Sequence, residues 1–205
     1  MTKYSNNDHY IDPKTGVLKN LLGITTEAEL EKAEATFASI RSYELAQNPV
    51  KGGFDLGHLK AIHRHIFNDL YAWAGQCRDV DIAKGDSFFA HHIHIEAAAK
   101  AIFDKLAKEK YLAGLSKAEF CDRAAFFLGE INALHPFREG NGRAQREFIS
   151  HLAYKNDYYF EWKNIEQDDM TEASAASFKC GDCSKLAAIL RANIRTLSGD
   201  GDSGE

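Results

Sequence analysis

Apolar residues recur at three- and four-residue intervals over most of this chain, the spacing that lines one side of an α-helix. Leu30, Ala33, Phe37 and Ile40 form the first such stripe. Thr26 and Glu29 precede it in the S/T-x-x-E pattern that satisfies open N–H groups at a helix start. Pro49 and Gly52-Gly53 end it. A second stripe, Leu56, Leu59, Ile62, Ile66 and Leu70, follows Asp55 and is expected to stop near Ala74-Gly75. A third helix is predicted from about Ile95 to Lys108. Ser116 and Glu119 repeat the capping pattern ahead of Phe120, Ala124, Phe127, Leu128, Ile131 and Leu134. Another helix is predicted over Gly142–Tyr154, and an Ala-rich one over Met170–Leu197, broken near Gly181.

Only one stretch switches period. In Arg78–Ala90, Val80 and Ile82 alternate with polar residues, Lys84-Gly85-Asp86 supplies turn chemistry, and Phe88-Phe89 follow. That pattern predicts a short β-hairpin. The fold class is therefore all-α, a compact helical bundle with one hairpin. A length of 205 residues favours one domain with short appendages. The expected division is an irregular arm over 1–24, the helical domain over 25–197, and a disordered tail, SGDGDSGE, over 198–205.

Composition removes several function classes. The formal net charge is -5 and no dense Lys/Arg run occurs, so direct nucleic-acid binding is not expected. No apolar run approaches the ~20 residues that span a bilayer. The N-terminus lacks the apolar core of a signal peptide, so the expected location is the cytoplasm. Cys180 and Cys183 form a C-x-x-C pair, but no second close pair completes a zinc set, and the cysteines read as ordinary thiols.

The chemistry concentrates in His135-Pro136-Phe137-Arg138-Glu139-Gly140-Asn141-Gly142-Arg143-Ala144-Gln145-Arg146. Pro136 disfavours helical geometry at His135, so the preceding helix should end there. Gly140 and Gly142 make a loop whose N–H groups can face an anion, and the next helix begins at that loop with its positive dipole end. Arg143 and Arg146 are three apart and share a helix face. Two guanidinium groups beside an amide-lined loop make a polyphosphate cradle. Glu139 is placed to hold Mg²⁺, which takes oxygen ligands and bridges phosphates. His135 has a pKa suited to accepting a proton near neutral pH. These parts describe phosphoryl or nucleotidyl transfer, a chemistry of positioning and charge stabilisation. The P-loop pattern is absent.

This run resembles the defining Fic motif, H-x-F-x-[DE]-G-N-G-R-x-x-R, at every fixed position. Ile62–Phe67, Tyr71–Arg78, the hairpin near Lys84, Phe120–Leu134 and the opening Tyr10–Gly23 are also similar to Fic proteins, bacterial toxins and conjugation-linked effectors among them. The likeness covers roughly residues 10–195. It implies transfer of AMP from ATP to a hydroxyl of a target protein. His135 would be the base and Phe137 the anchor of the loop. Glu139 would bind Mg²⁺, and Gly140, Asn141 and Gly142 would cradle the phosphates, Asn141 also contacting the α-phosphate region. Arg143 and Arg146 would hold the β- and γ-phosphates. The hairpin, about Asp81–Phe89, would be a flap that pairs with an extended target segment. Lys84 and Gly85 would line the nucleotide pocket. Family kinases carry lysine in place of Gly142, so glycine favours AMP transfer over the alternative of a Fic-type kinase. A third reading is an inactive interaction module.

Self-inhibited relatives carry [ST]-x-x-x-E-[GN], whose glutamate pairs with the second motif arginine, here Arg146. In this chain only Thr25 has a glutamate four residues on, and Leu30 follows it. The resemblance therefore implies a toxin restrained by a separate small antitoxin, with bacterial type II topoisomerase subunits as the implied kind of target. Among weaker signals, imidazoles at His91, His92 and His94 could bind a metal, but no nearby cysteine or spaced carboxylate completes a set, and they read as polar flap and helix-entry residues. His63 and His65 cannot share a helix face and read separately. Phe126, Phe127, Tyr154, Tyr158, Tyr159, Phe160 and Trp162 read as core packing.

Overall fold

The computed structural model describes residues 8–84 and 87–197; for Lys84 and Ser87 it describes the backbone alone. Seven α-helices carry the described chain: α1 (Glu27–Gln47), α2 (Leu56–Phe67), α3 (Ile95–Lys108), α4 (Lys117–Leu134), α5 (Asn141–Lys155), α6 (Gln167–Cys180) and α7 (Ser184–Asn193). Two short antiparallel ribbons join them. Strands β1 (Ala83–Lys84) and β2 (Ser87–Phe88) make the expected hairpin, with Ala83 opposite Phe88. Strands β3 (Tyr158–Phe160) and β4 (Ile194–Thr196) make the other. The all-α reading with a single flap thus holds, with a second ribbon added.

The capping residues act as their chemistry requires. Ser116 Oγ accepts from Glu119 N, and the Glu119 carboxylate accepts from Ser116 N at 3.0 Å, closing both halves of the capping box. Thr26 makes only one half: it accepts from Glu29 N, and its hydroxyl, not its backbone, donates to Glu29. Asp55 caps α2 through His58 N at 2.8 Å.

Four sequence expectations need correction. The second helix ends at Phe67, and Leu70 and Tyr71 reach the core from the turn that follows. The last helical segment stops at Asn193, because Ile194–Thr196 pair with Tyr158–Phe160 instead. The buried face of α1 is Leu30, Glu34, Ala38 and Leu45, and Ile40 is 53% exposed. Ala33 and Phe37 still pack against the core, and Glu34 is buried beside them with Tyr71 and Arg143 as partners. Among the aromatic residues read as core, Tyr154 and Tyr159 are exposed.

The core runs through α2, α4 and α5. Leu59, Ile62 and Ile66 of α2, Phe120, Ala124, Phe127 and Ile131 of α4, and Phe148, Ile149 and Leu152 of α5 are fully buried. Each large side chain so buried stabilises by about 1.5–3 kcal/mol. The arm also belongs to this body from residue 8 onward. Ile11 bridges Leu18 across a turn, Tyr10, Val17 and Leu18 are buried, and Leu21 N donates to Leu70 O at 2.8 Å. The expected tail over 198–205 lies outside the described residues.

The short loop between α4 and α5 is pinned between packed helices. Gly140 opens α5 with φ +77°, and a Cβ there would lie 2.3 Å from Phe67 Cε2. Both the backbone and the neighbouring ring exclude a side chain. Gly140→Ala is expected to cost about 3 kcal/mol or more of stability. A denaturant midpoint matching the parent chain would contradict that account.

Candidate active site

The loop His135–Gly140 ends α4 and starts α5, and its inward-facing residues hold it in place. His135 closes α4 in the left-handed region at φ 45°, with its N–H on Ile131 O at 3.1 Å. Phe137 is fully buried, and its ring stacks on His63 at 3.8 Å between centroids. Asn141 brackets Phe137 from the next turn: Oδ1 accepts Phe137 N at 2.9 Å and Nδ2 donates to Phe137 O at 2.8 Å. Arg138 turns inward onto Asp8 of the arm, at 2.7 Å, both side chains nearly solvent-free. Below them, His63 donates from Nε2 to Glu139 O at 2.9 Å and accepts Gly75 N on Nδ1 at 2.9 Å. A backbone carbonyl accepts only and a backbone N–H donates only, so His63 is the neutral Nε2–H tautomer. Burial pushes its pKa down to about 4.

The outward-facing residues line a cleft of about 740 Å³. His135 Nδ1 lies 3.1 Å from Asn132 O, which can only accept. A proton therefore sits on Nδ1, which makes Nε2 the basic position of the ring. The ring stacks on Phe89 from the flap, at 3.7 Å and 17°. Phe89 in turn meets Phe178 of α6 edge-on at 5.5 Å. Glu139, Gly140, Asn141, Gly142, Arg143 and Arg146 all line the same cleft. The side-chain amide of Asn141 is engaged with the loop, so its backbone N–H, unpaired as the first of the helix, is what it can offer an anion. The sequence reading missed the opposite wall. Met170, Thr171, Ser174, Ala175 and Phe178 of α6 complete the cleft, a face at helical spacing that no motif marks.

The two arginines differ. Arg143 pairs with Glu34 at 3.1 Å and lies over the Phe67 ring at 5.4 Å. Glu34 is buried and also accepts from the Tyr71 hydroxyl. Burial raises the Glu34 pKa, and the Arg143 charge opposes the rise. Arg146 is different: no carboxylate among the described residues lies within ion-pair distance of it. Burial, then the Arg143 charge, lowers its pKa, so its cationic form is held in a place that disfavours it. Guanidinium stays charged even so, and that field favours an incoming anion.

The flap is moored by Arg78, which sequence reasoning noted only as part of a resemblance. Its side chain is buried, with Nε on His135 O at 2.8 Å, Nη1 on Val80 O at 2.7 Å, and Nη2 on Ala90 O and Leu134 O. Its backbone N–H donates to Pro136 O at 2.8 Å. One guanidinium thus joins both ends of the hairpin to the turn bearing His135. Of the flap residues named from sequence, Lys84 sits in β1 by its backbone, and Gly85 lies outside the described residues.

The comparisons with known proteins agree with this geometry. The description of the Fic/DOC family matches residues 53–153. The Fic protein of Escherichia coli K12 is 38% identical over 182 residues, covering 89% of this chain and 90% of that relative. This chain belongs to the Fic/DOC family. Protein adenylyltransferase VbhT of Bartonella schoenbuchensis is 49% identical over 195 residues, 95% of this chain. The Fic chain spans only 41% of that relative's length. The crystal structure of BepC from Bartonella tribocorum, with bound AMPPNP, superposes with a TM-score of 0.84 at 25% identity, covering 91% of this chain and 96% of that one. The N-terminal Fic domain of a Bartonella quintana effector, with bound ADP, gives 0.84 at 26% identity, covering 91% and 94%. Among the described residues no helix is long and apolar enough to cross a membrane.

Two predictions follow from the buried charges. Glu34→Gln keeps a partner for Tyr71 but removes the charge that fixes Arg143. It is expected to raise the KM for nucleotide about 10-fold, the scale of one charge-assisted hydrogen bond, with the thermal midpoint moved by no more than about 4 °C. Tighter binding would mean that Glu34 holds Arg143 back instead. The second prediction concerns pH. An unfolded chain protonates His63 near its ordinary 6.5, the folded chain only near about 4. The unfolded state therefore binds more protons between those values, and stability falls as pH drops through them. His58 and His151, also lowered by burial, act with the same sign, while Glu34 and Glu147, raised by burial, oppose it. The His63 share is read by difference. Between pH 7 and 4.5, His63→Asn is expected to lose about 2 kcal/mol less stability than the parent. Equal losses would refute the neutral His63.

Proposed function

We propose that this chain transfers AMP from ATP to a hydroxyl side chain of a target protein. The observation that carries the proposal is the tautomer and placement of His135. Its Nδ1–H is tied to Asn132 O, and its basic Nε2 stands at the lip of a cleft floored by a helix N-terminus and two arginines. A general base needs that arrangement: a neutral imidazole, oriented by a second group, beside the site of charge development. The names of relatives support it, VbhT being called a protein adenylyltransferase. So do the AMPPNP and ADP held by BepC and the Bartonella quintana domain.

In this mechanism the triphosphate lies along the Gly140–Gly142 turn, against the N–H groups of Asn141 and Gly142, where the α5 dipole favours negative charge, while the Gly140 N–H holds Glu139. Arg143, oriented by Glu34, and Arg146 take the outer phosphates. His135 removes the proton of the acceptor hydroxyl, whose oxygen attacks the α-phosphorus in line, and pyrophosphate leaves. The Glu139 carboxylate lines the cleft, with Oε1 accepting the adjacent Gly140 N–H, and its oxygens would suit Mg²⁺. That ion, when bound, neutralises phosphate charge. The β1–β2 hairpin, moored by Arg78, offers an edge to an extended segment of the target.

Gly142 supports AMP transfer over phosphate transfer. A Cβ at 142 meets nothing nearer than Arg146 Nη1 at 3.8 Å, so the fold does not impose glycine there. A phosphate lying against the backbone does. We further propose that the chain is the toxin of a pair, restrained by a small antitoxin whose glutamate reaches Arg146. The lack of an [ST]-x-x-x-E-[GN] stretch in the sequence supports this, as does Arg146 having no carboxylate within ion-pair distance among the described residues.

With Mg²⁺ and a bacterial lysate, α-labelled ATP is expected to label a protein, whereas γ-labelled ATP is not. His135→Ala should cut labelling at least about 100-fold while retaining nucleotide affinity, since the imidazole holds no phosphate. Labelling from the γ-position, or full activity in His135→Ala, would overturn the proposal.

A further inference from the structure

At the foot of the flap, outside the lining of the cleft, three side chains converge that the transfer reaction does not use. Asp81 precedes β1, and His91 and His92 follow β2. Asp81 Oδ2 lies 3.0 Å from His91 Nε2, and Asp81 Oδ1 lies 3.0 Å from His92 Nδ1. The three donor atoms fall within 4.8 Å of one another. The two imidazoles stack at 4.7 Å between centroids. The arrangement is set by backbone: His92 N donates to Asp81 Oδ1 at 2.8 Å, and Ile93 N approaches His91 Nδ1 at 3.4 Å. The sequence reading found no carboxylate for these histidines because the hairpin supplies it, from ten residues upstream.

We propose that Asp81, His91 and His92 bind a divalent transition-metal ion, with Zn²⁺ the physiological candidate. Two imidazole nitrogens and one carboxylate form a borderline donor set that selects Zn²⁺, Co²⁺ or Ni²⁺ over Mg²⁺. Donors around a tetrahedral zinc ion sit about 3.3 Å apart, from bonds of about 2.0–2.1 Å. The two Asp81–imidazole contacts, at 3.0 Å and to different carboxylate oxygens, need to open by only a few tenths of an ångström, and the three donors, within 4.8 Å of one another, close onto the ion. The ion takes the place of the protons that His91 Nε2 and His92 Nδ1 share with Asp81. His92 then carries its proton on Nε2, and His91 on Nδ1 at the expense of the long Ile93 contact. The Arg78 guanidinium, 3.8 Å from Asp81 Oδ1, opposes the ion's charge and sets the affinity below that of a structural zinc site. The remaining coordination positions face solvent and fall to water. Bound there, the ion closes the hairpin stem and reduces the freedom of the flap.

The test uses the full chain without a histidine tag, stripped with chelator, in a Cys180→Ser, Cys183→Ser background that removes the competing thiol pair. Titration calorimetry with Zn²⁺ and visible absorption with Co²⁺ are expected to report one ion per chain. Asp81→Asn and His91→Ala should each weaken binding at least about 10-fold, and His94→Ala should not. Mg²⁺ should not compete. The three positions are exposed or half-buried, and unchanged circular dichroism checks that the variants fold. Absence of binding, or binding of equal strength in Asp81→Asn and His91→Ala, would overturn the proposal. The readout is metal affinity, so it stands or falls separately from AMP transfer.

Discussion

The site depends on one buried cation. Arg78 carries five N–H donors in a planar fork, and four backbone carbonyls from two distant parts of the chain converge on it. Leu134 and His135 end α4; Val80 and Ala90 flank the hairpin. A helix that stops abruptly leaves carbonyls without partners, and so does a two-residue ribbon with no sheet behind it. Arg78 satisfies both sets at once. The flap and the basic imidazole are therefore referenced to the same atoms, and the stack of Phe89 on His135 follows from that common anchor. Lysine, with a single ammonium, cannot span the same set of acceptors.

The motif loop divides its residues by direction. Phe137, Arg138 and Asn141 face inward, where ring stacking, the Asp8 pair and the bracket on Phe137 hold them. His135, Glu139, Gly142, Arg143 and Arg146 face the cleft. Rigidity comes from one set and chemistry from the other. His63 serves the first: neutral and fully buried, it ties Gly75 to Glu139 with both nitrogens. A protonated imidazole there would set a donor against the Gly75 N–H, which is why burial and neutrality go together.

Local features were the legible part of the sequence. Helix starts at Ser116 and Ile95 stand where the capping pattern and periodicity place them, because a cap and its helix are a few residues apart. The motif loop was legible for the same reason: all its parts lie within twelve consecutive residues. What escaped was every contact between distant segments. Glu34 reaches Arg143, Asp8 reaches Arg138, and Arg78 reaches Leu134, separations that period and propensity do not encode. The α1 stripe shows the consequence. Hydrophobic spacing points Ile40 inward, whereas the structure exposes Ile40 and buries Glu34. A glutamate at the centre of the frame 30, 34, 38, 45 was the available signal, meaningful only with a cation across from it. The β3–β4 ribbon escaped likewise, since Ile194–Thr196 continues a helical pattern until Tyr158–Phe160 competes for it.

The positions that the fold leaves unexplained are those that the proposed nucleotide accounts for. Gly140 is required by its own backbone and by Phe67; Gly142 is not required by anything around it. Arg143 has its carboxylate; Arg146 is drawn into a partly buried place, its charge disfavoured there and pressed by a like charge. A folded chain gains nothing from a bare glycine at the second position of a helix, nor from a desolvated cation with only the neighbouring Glu147 charge and no carboxylate at ion-pair distance among the described residues. Both become favourable when an anion with several oxygens lies against the N-terminus of α5, since close approach needs the missing Cβ and neutralisation needs the waiting guanidinium. The cost of holding that site open is borne by the residues behind it, Arg78, His63 and the Asp8–Arg138 pair, which act through the loop without reaching the substrate.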